Sequence, residues 1–181
     1  DEVDAGGDLK FAISSSLTLD ATYRTDFSDV EVDQLQVNLT RFPLFFPERR
    51  DFFIENSGTF EFGDGTQREY RMSVSARDFT LFHTRRIGLA PGGEVIPIMG
   101  GARITGRTGQ FEVGALGMRT GAATLRPREN FGVVRLRRRL LGGSNVGLMV
   151  THRDLVGEDG QTVRNRAYGA DGNFLFAENL L

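Results

Sequence analysis

The sequence predicts an all-β, antiparallel chain, and three observations carry that reading. Apolar and polar residues alternate with a period of two over long stretches. Turn signals rich in glycine and serine separate those stretches at intervals of roughly ten residues. No segment sorts its residues at the 3.6-residue spacing of a long helix. In Leu17-Thr18-Leu19-Asp20-Ala21-Thr22-Tyr23-Arg24, one face takes Leu17, Leu19, Ala21 and Tyr23, and the other takes Thr18, Asp20, Thr22 and Arg24. Before it, Leu9, Phe11 and Ile13 alternate with Lys10, Ala12 and Ser14, and Ser14-Ser15-Ser16 reads as the hairpin turn between the two.

The second half repeats the pattern. Residues 101–107 and 110–120 read as strands joined across Thr108-Gly109. Residues 130–140 and 145–153 flank the turn Gly142-Gly143-Ser144, and Glu158-Asp159-Gly160 marks a further loop. In the last strand Tyr168, Ala170, Gly172, Phe174 and Phe176 share a face against Gly169, Asp171 and Asn173. Apolar and aromatic residues on one face with polar ones on the other suit a barrel wall between lipid and lumen. A soluble sheet with one face on a core alternates in the same way, and periodicity does not separate them. Glycines inside strands, such as Gly106, Gly114, Gly117, Gly132, Gly147, Gly169 and Gly172, lean toward the curved wall of a barrel.

Composition narrows the function classes. The chain has 181 residues, 39% of them hydrophobic, with 15 phenylalanines, 23 glycines, no tryptophan and no cysteine. Disulfides, thiolate catalysis and cysteine-held zinc are thereby excluded. A net charge of -2 offers no basic surface for nucleic acid. Lys10 is the only lysine, so the positive charge is carried by arginine, whose planar fork pairs with carboxylates in a bidentate way. No apolar run reaches the ~18 residues of a membrane-spanning helix, which does not bear on strands. The chain reads as an internal piece of a longer protein, and eight to ten strands are expected in it.

From Val30 to Gly63 the alternation breaks. Arg41, Phe42, Phe45, Phe46, Pro47, Glu48, Arg49, Arg50, Phe52, Phe53 and Glu55 crowd aromatic rings among charges. Prolines at Pro43 and Pro47 bar a continuous central strand. Residues 41–63 are expected to form an ordered element, folded inward or at the rim, that packs its rings and pairs its charges.

This block and its surroundings resemble a bacterial family, the domain of unknown function 5916. The similarity runs through Gly7-Asp8-Leu9-Lys10, Leu17-Thr18-Leu19-Asp20-Ala21-Thr22, Asp26-Phe27-Ser28 and Val30-Glu31-Val32-Asp33. It continues in Gln36-Val37-Asn38-Leu39-Thr40-Arg41-Phe42, Phe45-Phe46-Pro47-Glu48-Arg49-Arg50 and Phe52-Phe53-Ile54-Glu55-Asn56. Leu81-Phe82, Arg85-Arg86-Ile87-Gly88, Gly100-Gly101-Ala102-Arg103-Ile104-Thr105-Gly106 and Tyr168-Gly169-Ala170-Asp171 follow in order. His83-Thr84 departs from the family pattern, which has Tyr or Phe followed by Ser there. The resemblance implies a region like an outer-membrane barrel in Gram-negative bacteria, with no agreed activity. It also implies an upstream export signal and a module resembling carbohydrate-binding family 9.

Candidate sites are each weighed against a structural role. Glu48, Glu55 and Glu61 flank the aromatic block, and paired carboxylates near aromatics suit glycoside hydrolysis. Arg49 and Arg50 beside Glu48 would instead hold that acid ionised. Arg135, Arg137 and Arg139 share a strand face, which is either a positive ladder lining a lumen or a salt-bridged polar face. Val134, Leu136 and Leu140 oppose them as a lipid-facing stripe that Arg138 interrupts. Arg85 and Arg86 join the structural set. Asp26, Asp29, Glu31 and Asp33 offer oxygen ligands without the spacing of a calcium loop. His83 and His152 have no second ligand at diagnostic spacing. No cofactor or metal is expected.

The expectation is therefore part of an outer-membrane β-barrel in a Gram-negative envelope, acting as pore or anchor. Its partners are the lipid bilayer and, through the upstream module, glycans. The alternatives are an enzyme or accessory domain acting on polysaccharide, with Glu48 and Glu55 as its acids, and a soluble β-sandwich binding module. A sandwich should turn polar residues outward, whereas a barrel should show an apolar band.

Overall fold

The computed structural model of the chain describes residues 6–24, 48–63, 80–89, 95–122, 127–157 and 160–175. Seven strands form among them: β1 (Gly7–Ser14), β2 (Leu17–Tyr23), β3 (Ile98–Thr108), β4 (Phe111–Thr120), β5 (Arg128–Arg139), β6 (Asn145–Val156) and β7 (Thr162–Asn173). All pairings are antiparallel and follow chain order, so the sheet is a meander from β1 to β7. Among the described residues β1 and β7 are free edges, and the sheet is not closed. The fold is all-β, with seven described strands against the eight to ten expected.

The last strand stops at Asn173, short of the alternation expected through Phe174 and Phe176. Beyond it the Leu175 backbone N–H donates to the Ser144 hydroxyl at 3.0 Å, and the Phe174 ring lies against Gly172. Capping the neighbouring turn takes the chain out of the ladder. Phe176 and the pair Glu158-Asp159 lie outside the described residues, as does the acidic cluster from Asp26 to Asp33.

Register sorts every strand residue onto one of two faces. On one face a single cross-strand row reads Phe11, Leu19, Ile104, Ala115, Val134, Val150 and Tyr168. The row beside it reads Leu17, Gly106, Val113, Leu136, Leu148 and Ala170. These side chains stay open to the surroundings: Val134 is 53% exposed, Leu148 58% and Tyr168 70%. This face is called outer below.

The opposite, inner face is mixed. One of its rows reads Lys10, Asp20, Arg103, Leu116, Val133, Thr151 and Ala167. Against it lies the described part of the connection between β2 and β3, a stretch containing α1 (Asp51–Ile54) and 3-10 turns at Ser57–Phe60 and Thr84–Arg86. Phe53, Phe60 and Ile87 from that stretch join Ile98, Leu116, Met118, Phe131, Val133 and Met149 of the wall in one buried cluster. Burying each such side chain contributes about 1.5–3 kcal/mol, enough to hold a segment with only four helical residues of its own. Glycines make the approach possible: a Cβ on Gly114 would come within 2.6 Å of Thr59, and one on Gly169 within 2.5 Å of the Phe62 ring.

Candidate functional site

The inner face and the segment on it are joined by arginines, and each arginine has a carboxylate. Arg50 enters α1 in extended conformation and is 4% exposed. Its Nε donates to Glu48 Oε1 at 2.8 Å and its Nη2 to Glu48 Oε2 at 2.7 Å. The rest of the fork reaches across the chain, with Nη1 donating to the Ile87 carbonyl at 2.5 Å and Nη2 to the Thr84 carbonyl at 3.0 Å. One guanidinium thus ties residues 48–50 to the turn at Thr84–Arg86 and stacks over the Phe53 ring at 4.3 Å. Burial alone would raise the Glu48 carboxyl. The Arg50 hydrogen bonds and charge, with a further hydrogen bond from Thr84, outweigh it and hold the group below the ordinary value of 4.5.

Arg103 does the same work from the wall. Its Nη2 donates to Asp20 Oδ2 at 2.7 Å across the β2–β3 pair. Its Nη1 donates to the carbonyls of Phe52 and Glu55, the orphan acceptors at the end of α1. Asn56 then turns the chain in left-handed conformation (φ 55), which asparagine tolerates better than most residues, and opens the next 3-10 turn. Glu55 itself pairs with Lys10 of β1 and lies 3.5 Å from Arg103.

Farther along the sheet, Arg135 has no exposed surface. It passes over Gly147 and meets Asp171 of β7 through two parallel hydrogen bonds, Nη1 to Oδ1 at 2.5 Å and Nη2 to Oδ2 at 2.6 Å. Asp171 also accepts from the Gly63 N–H at 3.1 Å, and Arg137 donates to the Glu61 carbonyl at 3.2 Å. Arg137 lies 3.6 Å from Glu112, and Arg153 grips the buried Glu129 at 2.8 Å. The described inner face is therefore a set of compensated pairs whose spare donors and acceptors cap the backbone of the covering segment.

The residues singled out from sequence fall into three groups. Glu48, Arg50, Phe52, Phe53 and Glu55 come together on the inner face with Arg103, and Arg135 and Arg137 sit on that face nearer β7. Arg49, Arg86 and Arg139 are exposed, while Arg85 is buried. Arg41, Phe45, Phe46 and Pro47 lie outside the described residues. For Arg135 and Arg137 the charges meet carboxylates, which favours the salt-bridged face over a positive ladder. Both acids of the glycosidase reading are held by cations, and Glu48 is held ionised.

Asp20, Arg103, Thr84 and Asp171 were not among the predicted site residues. Their signal was present in part: Asp20 and Arg103 each occupy the polar face of an alternating strand, and Asp171 is the one acid on the inward face of β7. Nothing in the sequence states that Thr84 lies beside Glu48.

Residues 1–99 match the family described as Domain of unknown function (DUF5916). The chain belongs to that family. No curated protein and no solved structure matches it. The DUF5916 match covers β1, β2 and the described inner segment, including the Arg50–Glu48 clamp and Asp20. The wall partners Arg103, Arg135 and Asp171 follow beyond it.

Proposed function

We propose that this DUF5916 chain is part of the wall of an outer-membrane β-barrel whose lumen is occupied by its own inward-folded segment, and that it serves as a closed envelope anchor. One observation carries the reading. The described segment that leaves the sheet covers the face that holds the ion pairs and one buried apolar cluster, and among the described residues nothing covers the second, largely apolar face. A water-soluble sheet gains stability by covering such a face as well. Lipid reverses the preference, because an apolar surface is at home there while charges need an enclosed interior.

The dimensions are of the right order. From the row of Asn130 to the row of Arg138 is eight residues along β5, or about 27 Å, which a tilt near 40° shortens to about 21 Å of height, against the ~25 Å band of such barrels. Aromatic Tyr23 and Phe111 stand at opposite ends of that span. Occupation of the inner face favours an anchor over an open pore, since passage would require breaking several buried ion pairs. Display of an upstream carbohydrate-binding module is the role that such an anchor would fill.

The test is the behaviour of the whole parent protein. Envelope fractions are separated and run on a denaturing gel with and without boiling. A band in the outer-membrane fraction with altered mobility when unboiled is the expected result. A parent protein that remains soluble without detergent and shows no shift would overturn the proposal.

A further inference from the structure

The outer face is not the same at its two ends. The turns at residues 15–16, 109–110 and 140–144 lie at one end of the meander, and at the other end β2, β4 and β6 give way to the connections to the following strands, of which that from β2 to β3 is by far the longest. At the short-turn end, one outward arginine, Arg138, sits over the Phe111 ring at 5.6 Å. At the long-connection end, register places Arg119, Arg128, Arg164 and Arg166 on the outer face, all exposed. Asp154 is the only acid among the described outer-face strand residues, and its Oδ2 is 3.0 Å from His152 Nε2. Arg166 Nε donates to the other ring nitrogen of His152 at 3.4 Å, while Arg119, Arg128 and Arg164 meet no carboxylate among the described residues.

An apolar groove begins where these arginines end. Ala102, Gly117 and Gly132 leave a trough across β3, β4 and β5, walled by Ile104, Val134 and Val150 and reaching His152. Its volume is about 350 Å³. Arg119 on β4 and Arg164 on β7 share a cross-strand row and stand three strand spacings apart, about 14 Å. Two arginine side chains reach most of that distance, so they can meet on one anion above the groove mouth.

We infer that this rim binds the phosphate of an outer-leaflet lipid, with the arginines on the headgroup and the trough along an acyl chain. The inference rests on the barrel reading, in which long connections face the outside of the cell and short turns the periplasm. That orientation brings the four arginines to the level of the outer-leaflet headgroups. Guanidinium forks suit phosphate geometry, and among the described residues Asp154 is the one outer-face carboxylate beside them.

The parent protein, purified in detergent, is placed in phosphatidylcholine vesicles containing a minority of a bisphosphorylated glucosamine lipid. Lipid remaining with the protein after brief detergent extraction is then weighed by native mass spectrometry. Enrichment of the phosphorylated lipid by about tenfold over phosphatidylcholine is expected, from the usual attraction of several arginines to an anionic headgroup. The triple variant Arg119→Gln, Arg164→Gln, Arg166→Gln should lose the enrichment and keep its unboiled gel mobility. Arg138→Gln, at the other end, should keep both. Inorganic phosphate should not displace the lipid, and its doing so would reduce the rim to a simple anion site. No enrichment in the unaltered protein, or equal enrichment in the triple variant, would overturn the inference while leaving the barrel intact. A protein that needs no detergent and shows no gel shift would instead remove the barrel reading and this site with it.

Discussion

Two neighbouring rows of the same sheet show how differently its faces are used. Lys10, Asp20, Arg103, Leu116, Val133, Thr151 and Ala167 run across the inner face, and Phe11, Leu19, Ile104, Ala115, Val134, Val150 and Tyr168 across the outer. The inner row is covered by a segment that its own charged groups help to hold in place, and among the described residues nothing covers the outer row. Charges that leave water need partners at once, whereas an apolar surface needs only a neighbour that is not water. On the barrel reading proposed above, the difference would put the low-polarity surroundings outside the sheet and the ion pairs within it.

The largest expected effect comes from breaking the most enclosed pair. Asp171→Ala leaves the fully buried Arg135 without its carboxylate and should cost about 3–5 kcal/mol in urea unfolding of the vesicle-embedded protein. Adding Arg135→Leu should recover most of that loss, and a double variant as unstable as the single would show that the pair is not the cause.

Next comes the outer face. Val150→Arg should cost about 2–4 kcal/mol if the face meets the bilayer midplane. A water-exposed position would change by no more than about 0.5 kcal/mol, so the same measurement tells the two environments apart.

Glycines sharpen the contrast further. Gly169→Ala pushes a methyl into the Phe62 ring and should cost about 1–3 kcal/mol, with faster proteolysis of residues 48–63. On the outer face, Gly132→Ala meets nothing nearer than the His152 Cβ at 3.8 Å and should change stability little. Equal losses at the two positions would mean that the segment does not press on the wall.

The smallest effect is that of pH on the Arg50 clamp. Glu48 has its pKa lowered on folding, so its contribution is complete above the ordinary value of 4.5 and fades as pH falls through the depressed pKa. Proteolysis near Thr84 should accelerate only in that acid range. Glu48→Gln should show the faster cleavage already at neutral pH and lose most of the pH dependence.

Much of this was legible from residue order. The alternation from Leu17 to Tyr23 placed β2 and sorted its faces, and Ser15-Ser16, Gly109 and Gly143 marked the tight turns. The aromatic and arginine-rich stretch was recognisable as something other than a strand, and Arg50 beside Glu48 was readable as an ion pair. Less visible was the role of Arg103, which sequence places on a polar strand face without saying that two carbonyls of α1 lie above it. Arg135, Arg137 and Arg139 are legible only as sharing a face, either a positive ladder or a salt-bridged one, because a period of two reports faces and not partners. The carboxylate that Arg135 meets is 36 residues away on β7, and Gly147 between them is what lets the side chain cross.

By itself, the sequence determined the all-β class, the register-ready alternation of the strands and the place where that alternation gives way to a packed segment. These are local properties, set by a side-chain period of two and by turn chemistry. Only the tertiary structure decided which face the segment would cover. That choice depends on contacts between residues far apart in the chain, where buried charges find partners and glycines make room, and no local pattern encodes it.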